Sequence, residues 1–224
     1  MNSKICVSIG DTPFFTCLKL ASIYPLVEIR LDQMKLDPEK IDILSMQCRQ
    51  WIATCRPGKY TERERTTLLS ASIHAGAAYV DIEYESDPEY RKTLTDLAKR
   101  NHCKVIISYH NYESTPAISE MNEIVVRSKK EMNADYVKLA VTANHSFDCL
   151  ELMKIYLTHD NLIAFAMGEA GKITRIAAPF LGAAFTYASV DHANQTAPGQ
   201  LTVSEMETIF RIINKDNKNI IFYE

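Results

Sequence analysis

Asp135-Tyr-Val-Lys-Leu-Ala-Val141 is the stretch on which the fold prediction depends. Its β-branched and aromatic residues predict a short β-strand. Because side chains alternate along a strand, Val137 and Leu139 face one way and Lys138 faces the other. A lysine in a packed interior loses hydration, which lowers the pKa of its amine, and a neutral amine can form a Schiff base with a ketone. The structural alternative is a lysine that extends to water at the strand end.

Length and composition fit one globular domain, which we expect to span residues 1–224. A chain of 224 residues with 46% hydrophobic residues is long enough for a compact α/β barrel. The net charge of −3 gives no reason to expect a nucleic-acid partner. The six cysteines form no CxxC pair, and there is no signal-peptide pattern or long apolar run, so we expect a cytoplasmic protein with reduced thiols and no membrane partner.

Eight strand-like runs alternate with helical patterns along the chain. The predicted strands are Lys4–Ile9, Leu26–Asp32, Trp51–Arg56, Tyr79–Glu85, Lys104–His110, Tyr136–Val141, Leu162–Gly168 and Ala183–Val190. The helix-start signals are Thr12-Pro13, Asp37-Pro38, Asp87-Pro88 and the capping boxes Thr61/Glu64 and Thr202/Glu205. Eight strand–helix units favour parallel strands closed into a (β/α)8 (TIM) barrel, and an open doubly wound sheet is the alternative.

Polar side chains recur on one face of five neighbouring strands. Towards the strand carboxyl ends, that face carries Glu28, Arg30, Asp32, Arg56, Asp81, Glu83, Glu85, Ser108, His110 and Lys138. Parallel strands covered by helices are usually apolar on both faces, so the polar face predicts a barrel interior at the end where barrel active sites lie. A self-paired ion network is the structural alternative.

Two loops after the last strands add further candidates. Arg175 follows the seventh strand, in Met167-Gly-Glu-Ala-Gly-Lys-Ile-Thr-Arg175, where it can bind a carboxylate or a phosphate or simply lie in a solvated turn. Thr196 and Gln200 lie after the eighth strand and can hydrogen-bond to a ligand or cap the last helix. His110, at the end of the fifth strand, can move protons near neutral pH or serve a structural role.

Seven motifs occur in one order along nearly the whole chain: Glu28-x-Arg30-x-Asp32, Thr-Cys-Arg56, Asp81-Ile-Glu83, Ser-Tyr-His110, Val-Lys138, Met-Gly168-x-x-Gly171-x-x-x-Arg175 and Ala-Pro-Gly-Gln200. Together they resemble the type I 3-dehydroquinate dehydratases. The resemblance implies a (β/α)8 barrel, usually a homodimer, that acts in the shikimate pathway. It also implies dehydration of 3-dehydroquinate to 3-dehydroshikimate without a metal or organic cofactor.

The resemblance also assigns roles to individual residues. Lys138 matches the lysine that forms a Schiff base with the C3 ketone, and His110 matches the histidine that moves protons. Arg175 matches the arginine that holds the substrate carboxylate, with Thr196 and Gln200 beside it. The residues that match groups binding the ring hydroxyls are Glu28, Arg30 and Arg56.

One departure concerns the partner of the histidine. Many family members carry a glutamate four residues after the position of Arg56, and Tyr60 stands at that spacing here. The sequence leaves open whether Glu62, Glu83 or no carboxylate partners His110. A smaller departure is Thr196, where some members carry serine; the hydroxyl is kept.

Two alternative functions and the behaviour of two segments stay open at this stage. The first alternative is a class I Schiff-base aldolase acting on a sugar phosphate, although Arg175 and Gln200 suit a carboxylate better. The second is a carboxylate-binding barrel with weak or no turnover. Closure of the loop at 195–200 over the substrate is also left open. The C-terminal segment, residues 215–224, can pack on the barrel or on a neighbouring molecule.

Overall fold

A computed structural model describes residues 4–214 of the chain. Eight parallel strands form one sheet in which neighbours along the chain are neighbours in space. The strands are β1 (Ile5–Ile9), β2 (Leu26–Arg30), β3 (Gln50–Thr54), β4 (Tyr79–Glu83), β5 (Lys104–Asn111), β6 (Tyr136–Thr142), β7 (Leu162–Met167) and β8 (Thr186–Ser189).

The sheet curves into a nearly closed barrel. β1 pairs in parallel with β2 on one side and with β8 on the other. Across the remaining gap, the backbone N–H of Ala184 donates to the carbonyl of Leu162 at 2.9 Å. This closure confirms the predicted (β/α)8 barrel over the open doubly wound sheet.

Helices connect the strands on the outside of the barrel. They are α1 (Phe14–Ile23), α2 (Pro38–Ser45), α3 (Glu62–His74), α4 (Pro88–Arg100), α5 (Ile118–Glu131), α6 (Ser146–Met153), α7 (Lys172–Ala177) and α8 (Val203–Asn214), with 3-10 turns at Leu31–Gln33, Lys154–Leu157 and Ala178–Phe180. Within residues 4–214, no helix has the length and apolar character that crossing a membrane requires.

Most of the predicted helix-start signals are confirmed. The side chains of Asp37 and Asp87 accept hydrogen bonds from backbone N–H groups in the first turns of α2 and α4, each with proline at the start. The reciprocal bonds of a capping box are present in Thr61/Glu64 and Thr202/Glu205. At Thr12-Pro13 the prediction is one residue early, because Pro13 is the N-cap of α1 and the helix begins at Phe14.

Five strands (β2, β3, β4, β7 and β8) end one or two residues earlier than predicted, and in β2 and β4 this moves an acidic residue off the inner face. β2 ends at Arg30 and a 3-10 turn follows, so Asp32 turns back to form an ion pair with Arg30 at 2.8 Å. β4 ends at Glu83, and the expectation that Glu85 lies on the interior face is wrong, since Glu85 is exposed. The polar face is therefore shorter than strict alternation predicts.

The barrel interior has an apolar end and a polar end. Side chains from the amino-terminal halves of the strands fill the lower part with Cys6, Leu26, Ile52, Ile106, Ile163 and Phe185. A second apolar layer packs between the strands and the helices. Charged side chains are thus confined to the carboxyl end, above a floor that excludes water. The predicted packing of residues 215–224 concerns a segment outside the described residues.

Candidate active site

A cavity opens at the carboxyl end of the barrel, where the strands end and the loops begin. It brings together all eight residues predicted for the site, which are Glu28, Arg30, Arg56, His110, Lys138, Arg175, Thr196 and Gln200. The same cavity is lined by Tyr112, Ala140, Phe165, Met167, Tyr187, Ala197 and Pro198. Strands β2, β5, β6, β7 and β8, the loops after β3, β5 and β8, and helix α7 therefore contribute to one site.

Lys138 lies at the bottom of this cavity, in the middle of β6. Its side chain is only 5% exposed, so the alternative in which it reaches bulk water is wrong. The amine Nζ lies 3.1 Å from Asp81 Oδ2 and 3.5 Å from Glu28 Oε1. Two buried carboxylates thus hold the amine in place inside the barrel.

Neighbouring groups keep both of these carboxylates ionised. Burial raises the pKa of Asp81, but the positive charges of Arg56 and Lys138 outweigh burial and hold that pKa well below its usual value. Burial likewise raises the pKa of Glu28, and the charge of Lys138, followed by those of Arg30 and Arg56, leaves it below normal. The hydroxyls that donate to Glu28 are Ser8 Oγ at 2.6 Å and Thr54 Oγ1 at 3.0 Å.

Arg56 links the lysine pocket to the histidine. Its guanidinium forms an ion pair with Glu83 and lies 3.3 Å from Asp81. It also donates to Ser108 Oγ at 3.0 Å. The arginine therefore lies between two carboxylates and fixes their relative positions.

His110 contacts Glu83, and this contact answers which carboxylate partners the histidine. His110 Nδ1 lies 2.9 Å from Glu83 Oε2. Arg56 Nη1, which can only donate, lies farther from the same nitrogen, at 3.4 Å. Because a carboxylate only accepts, the shorter contact favours a proton on Nδ1 and leaves Nε2 as the basic nitrogen. Burial, together with the charges of Arg56 and Lys138, holds the pKa of His110 well below 6.5, so the ring is neutral at pH 7.

The other carboxylate considered as a partner of the histidine, Glu62, lies elsewhere. Glu62 is exposed in the first turn of α3. Tyr60, which stands at the family spacing, donates its hydroxyl proton to the carbonyl of Met34 at 3.1 Å. The partner of His110 therefore does not lie in the segment that follows Arg56. It comes from β4, the strand next to β5.

Arg175 is fully buried and lacks an ion-pair partner among residues 4–214. Its guanidinium packs on the ring of Phe165, with 4.2 Å between Cζ and the ring centroid. Nε and Nη2 are buried and make no hydrogen bond within the described part of the chain. Burial alone lowers the pKa of Arg175 to about 10, so the side chain still carries its charge at neutral pH. A buried and unpaired cation of this kind is costly unless a ligand supplies the anion.

The loop after β8 covers one side of the cavity and is anchored to it. Thr196 Oγ1 lies 3.0 Å from Ser8 Oγ, and Gln200 Oε1 accepts from the backbone N–H of Thr196 at 2.9 Å. Gly199 has φ +71° and lies so close to the β7–α7 loop that a Cβ would come within 2.3 Å of the Gly168 carbonyl. The loop thus holds its position by a backbone approach that only glycine permits.

Sequence reasoning missed Ser8 and Tyr187, which contribute a hydroxyl near Glu28 and Lys138. Both lie on the inner face of the first and last strands, β1 and β8. The prediction from alternating polar residues covered only the five strands β2 to β6. Barrel closure was the available signal, because it pairs β1 with β8 and so places the inner faces of both strands around the same interior. Among residues 4–214, no three histidine, cysteine or carboxylate side chains are grouped to hold a metal ion.

Comparison with known proteins gives the family. Residues 6–217 match the family model of the type I 3-dehydroquinases. A 3-dehydroquinate dehydratase of Desulfotalea psychrophila is 36% identical over 220 residues, covering 92% of this chain and 96% of that protein. The crystal structure of the 3-dehydroquinate dehydratase from Aquifex aeolicus matches with a TM-score of 0.81 at 30% identity, covering 94% of this chain and 99% of that one.

A parallel barrel with an interior lysine, a neutral histidine and an unpaired arginine in one cavity defines a Schiff-base lyase or aldolase as the class. The family match decides between them: the chain belongs to the type I 3-dehydroquinase family. Its activity is the dehydration of 3-dehydroquinate in the shikimate pathway, and type I enzymes act through a lysine Schiff base. This confirms the predicted family and reaction, and it disfavours both the aldolase and a barrel without turnover.

The contact between His110 and Glu83 makes a specific prediction. At pH 7, nitrogen-15 NMR of labelled histidine should show His110 neutral with its proton on Nδ1. Glu83→Gln keeps an acceptor for that proton and should retain the tautomer. Glu83→Ala removes this acceptor, so Arg56 should donate to Nδ1 and the ring proton should move to Nε2. Turnover should then fall by roughly 10²-fold.

The prediction is wrong if the wild-type proton lies on Nε2. It is also wrong if Glu83→Ala leaves the tautomer and turnover unchanged, because the carboxylate would then have no role in orienting the ring.

Proposed function

We propose that Lys138 forms the Schiff base with the C3 ketone of 3-dehydroquinate, that His110 moves the protons and that Arg175 holds the carboxylate. The observation that carries the assignment is the unpaired guanidinium of Arg175 in the same cavity as Lys138 Nζ. The two groups match the two ends of a keto acid. A bound carboxylate supplies the missing anion and its oxygens accept the unused N–H groups.

The reaction uses the lysine as an electron sink. Attack of Nζ on C3 and loss of the ketone oxygen as water give an iminium, which withdraws electrons and acidifies the protons on C2. Removal of one C2 proton and departure of the C1 hydroxyl as water form the conjugated double bond. Hydrolysis of the iminium then releases 3-dehydroshikimate and restores Lys138.

His110 is built for the proton transfers in these steps. Its ring is neutral, and the Glu83 contact on Nδ1 leaves Nε2 as the basic nitrogen. A neutral imidazole can take the C2 proton and return it to a leaving hydroxyl. Glu83 stabilises the imidazolium that forms in between, in the manner of a carboxylate that orients a catalytic histidine.

The remaining cavity residues bind the ring hydroxyls and complete the anion site. Arg30 and Arg56 keep their guanidinium groups at the cavity wall through ion pairs with Asp32 and Glu83. The groups beside the carboxylate are Thr196 and Gln200, which the β8–α8 loop presents from above. The substrate is thus held by cations and hydroxyls on opposite walls of one cavity.

We also propose that the enzyme is a cytoplasmic homodimer. All six cysteines are free thiols, which suits a reducing compartment. An apolar surface, which we call the α6 face, carries Phe147, Leu150, Leu157 and Ile173, each more than half exposed. An exposed apolar surface of this kind marks an interface, and a second copy of the chain is the partner that the family resemblance implies.

Borohydride trapping tests the central assignment. Reduction during turnover should attach the substrate to the chain, and peptide mass spectrometry should place the adduct on Lys138. Lys138→Ala should bind the substrate but show only background turnover, because Lys138 is the one lysine among the described residues that line the cavity. The exposed Lys154→Ala variant is the control and should behave like the wild type. An adduct on another residue, or turnover without any adduct, contradicts the assignment.

Sedimentation velocity tests the dimer. The wild type should sediment as a dimer, and Phe147→Glu combined with Leu150→Glu should give a monomer, because two carboxylates cannot be buried unpaired at an interface. Ile43→Glu places the same charge on the partly exposed α2 and should stay dimeric. A monomeric wild type, or a dimer in the α6 variant, rejects the proposed interface.

A further inference from the structure

Tyr187 lies on β8 with its hydroxyl beside the nucleophilic nitrogen. The Tyr187 oxygen is 3.5 Å from Lys138 Nζ, and Nζ is 4.4 Å from the ring centroid. The tyrosine is only 2% exposed and lines the same cavity as the lysine. The reacting nitrogen therefore has a phenol as its third neighbour, in addition to the two carboxylates.

Packing of the ring, rather than hydrogen bonding, sets the position of this hydroxyl. The ring of Tyr187 meets the edges of Phe165 and Phe185, each at 5.7 Å between centroids. Within residues 4–214, Lys138 Nζ is the one hydrogen-bond contact of the Tyr187 hydroxyl. The aromatic floor thus fixes the phenol, and the phenol in turn contacts only the amine.

The three neighbours of Nζ differ in what they can do as the nitrogen reacts. The protonated amine donates to Asp81 and to Tyr187, and Glu28 Oε1 lies in an ion pair 3.5 Å from the same nitrogen. An iminium keeps one proton, because the other two leave with the ketone oxygen as water. A carboxylate can only accept, whereas a phenol can also donate. Tyr187 is therefore the neighbour that can donate to the carbinolamine, whose hydroxyl oxygen leaves as water before the iminium forms.

We propose that Tyr187 is a positioning residue for Schiff-base formation. Its hydroxyl accepts from the Lys138 nitrogen in the free enzyme and donates to the hydroxyl oxygen of the carbinolamine at C3, which then leaves as water to give the iminium. It keeps its own proton throughout, and burial together with the charge of Glu28 raises its pKa well above the usual value. The effect falls on the rate of imine formation and not on substrate binding, since the carboxylate is held by Arg175.

This inference rests on the proposed role of Lys138, and its test separates the two. The variant is Tyr187→Phe, which keeps the ring and its packing and removes only the hydroxyl. The control is Tyr79→Phe, which removes a phenol hydroxyl from the same aromatic cluster, where Tyr79 packs on Phe185 at 5.9 Å. The measurement is the rate of borohydride trapping in a single turnover, alongside kcat and KM.

Tyr187→Phe should lower the trapping rate and kcat by about tenfold, with KM changed by less than about twofold. Tyr79→Phe should leave all three values at the wild-type level. The adduct reached at completion reports the folded and competent fraction of each variant, so a folding defect is corrected for. A wild-type trapping rate in Tyr187→Phe overturns the inference, and so does a rise in KM with kcat unchanged. Absence of a Lys138 adduct in the wild type instead overturns the proposed function.

Discussion

A charged side chain buried inside a barrel needs an opposite charge in contact with it. The strongest case here is Lys138, which forms ion pairs with Asp81 and Glu28. Both carboxylates are almost fully buried, and the lysine is their nearest buried cation partner. Removing Lys138 would leave two buried carboxylates without their nearest cation in a water-poor interior. The hydroxyls of Ser8 and Ser108 satisfy the remaining carboxylate oxygens. The lysine can therefore stay buried, because each oxygen of the two carboxylates around it has a hydrogen-bond or ion-pair partner.

The same constraint makes Arg175 the informative exception. The other buried cations of the cavity are compensated, Arg30 by Asp32 and Arg56 by Glu83. Arg175 rests on an aromatic ring and has no carboxylate in contact within the described residues. An enzyme that binds an anion gains from a cation that is already dehydrated and lies in the cavity wall, because no internal partner competes with the substrate. Burying this unpaired charge lowers the stability of the free enzyme.

Strand periodicity predicted more of the site than local spacing did. The alternation in β2, β4 and β6 placed Glu28, Asp81 and Lys138 on one face, and the barrel brings these side chains into contact. Spacing along the chain did not predict the Glu83–His110 pair, because the partners lie on adjacent strands and their distance depends on register and side-chain rotamers. Nor did it predict that Arg175 would be unpaired, since that requires knowing every neighbour in three dimensions. The family resemblance, which compares whole motifs, supplied the role of Arg175 where periodicity could not.

We propose that the buried guanidinium of Arg175 is held for a ligand anion and does not stabilise the fold. Differential scanning calorimetry of Arg175→Met, with and without 3-dehydroshikimate, is the test of this proposal. Replacement of an unpaired buried cation by an apolar side chain should leave the melting temperature of the free protein unchanged or higher. The ligand should raise the melting temperature of the wild type and not that of the variant. A variant that melts well below the wild type when free, yet keeps the full ligand-induced shift, would contradict the claim.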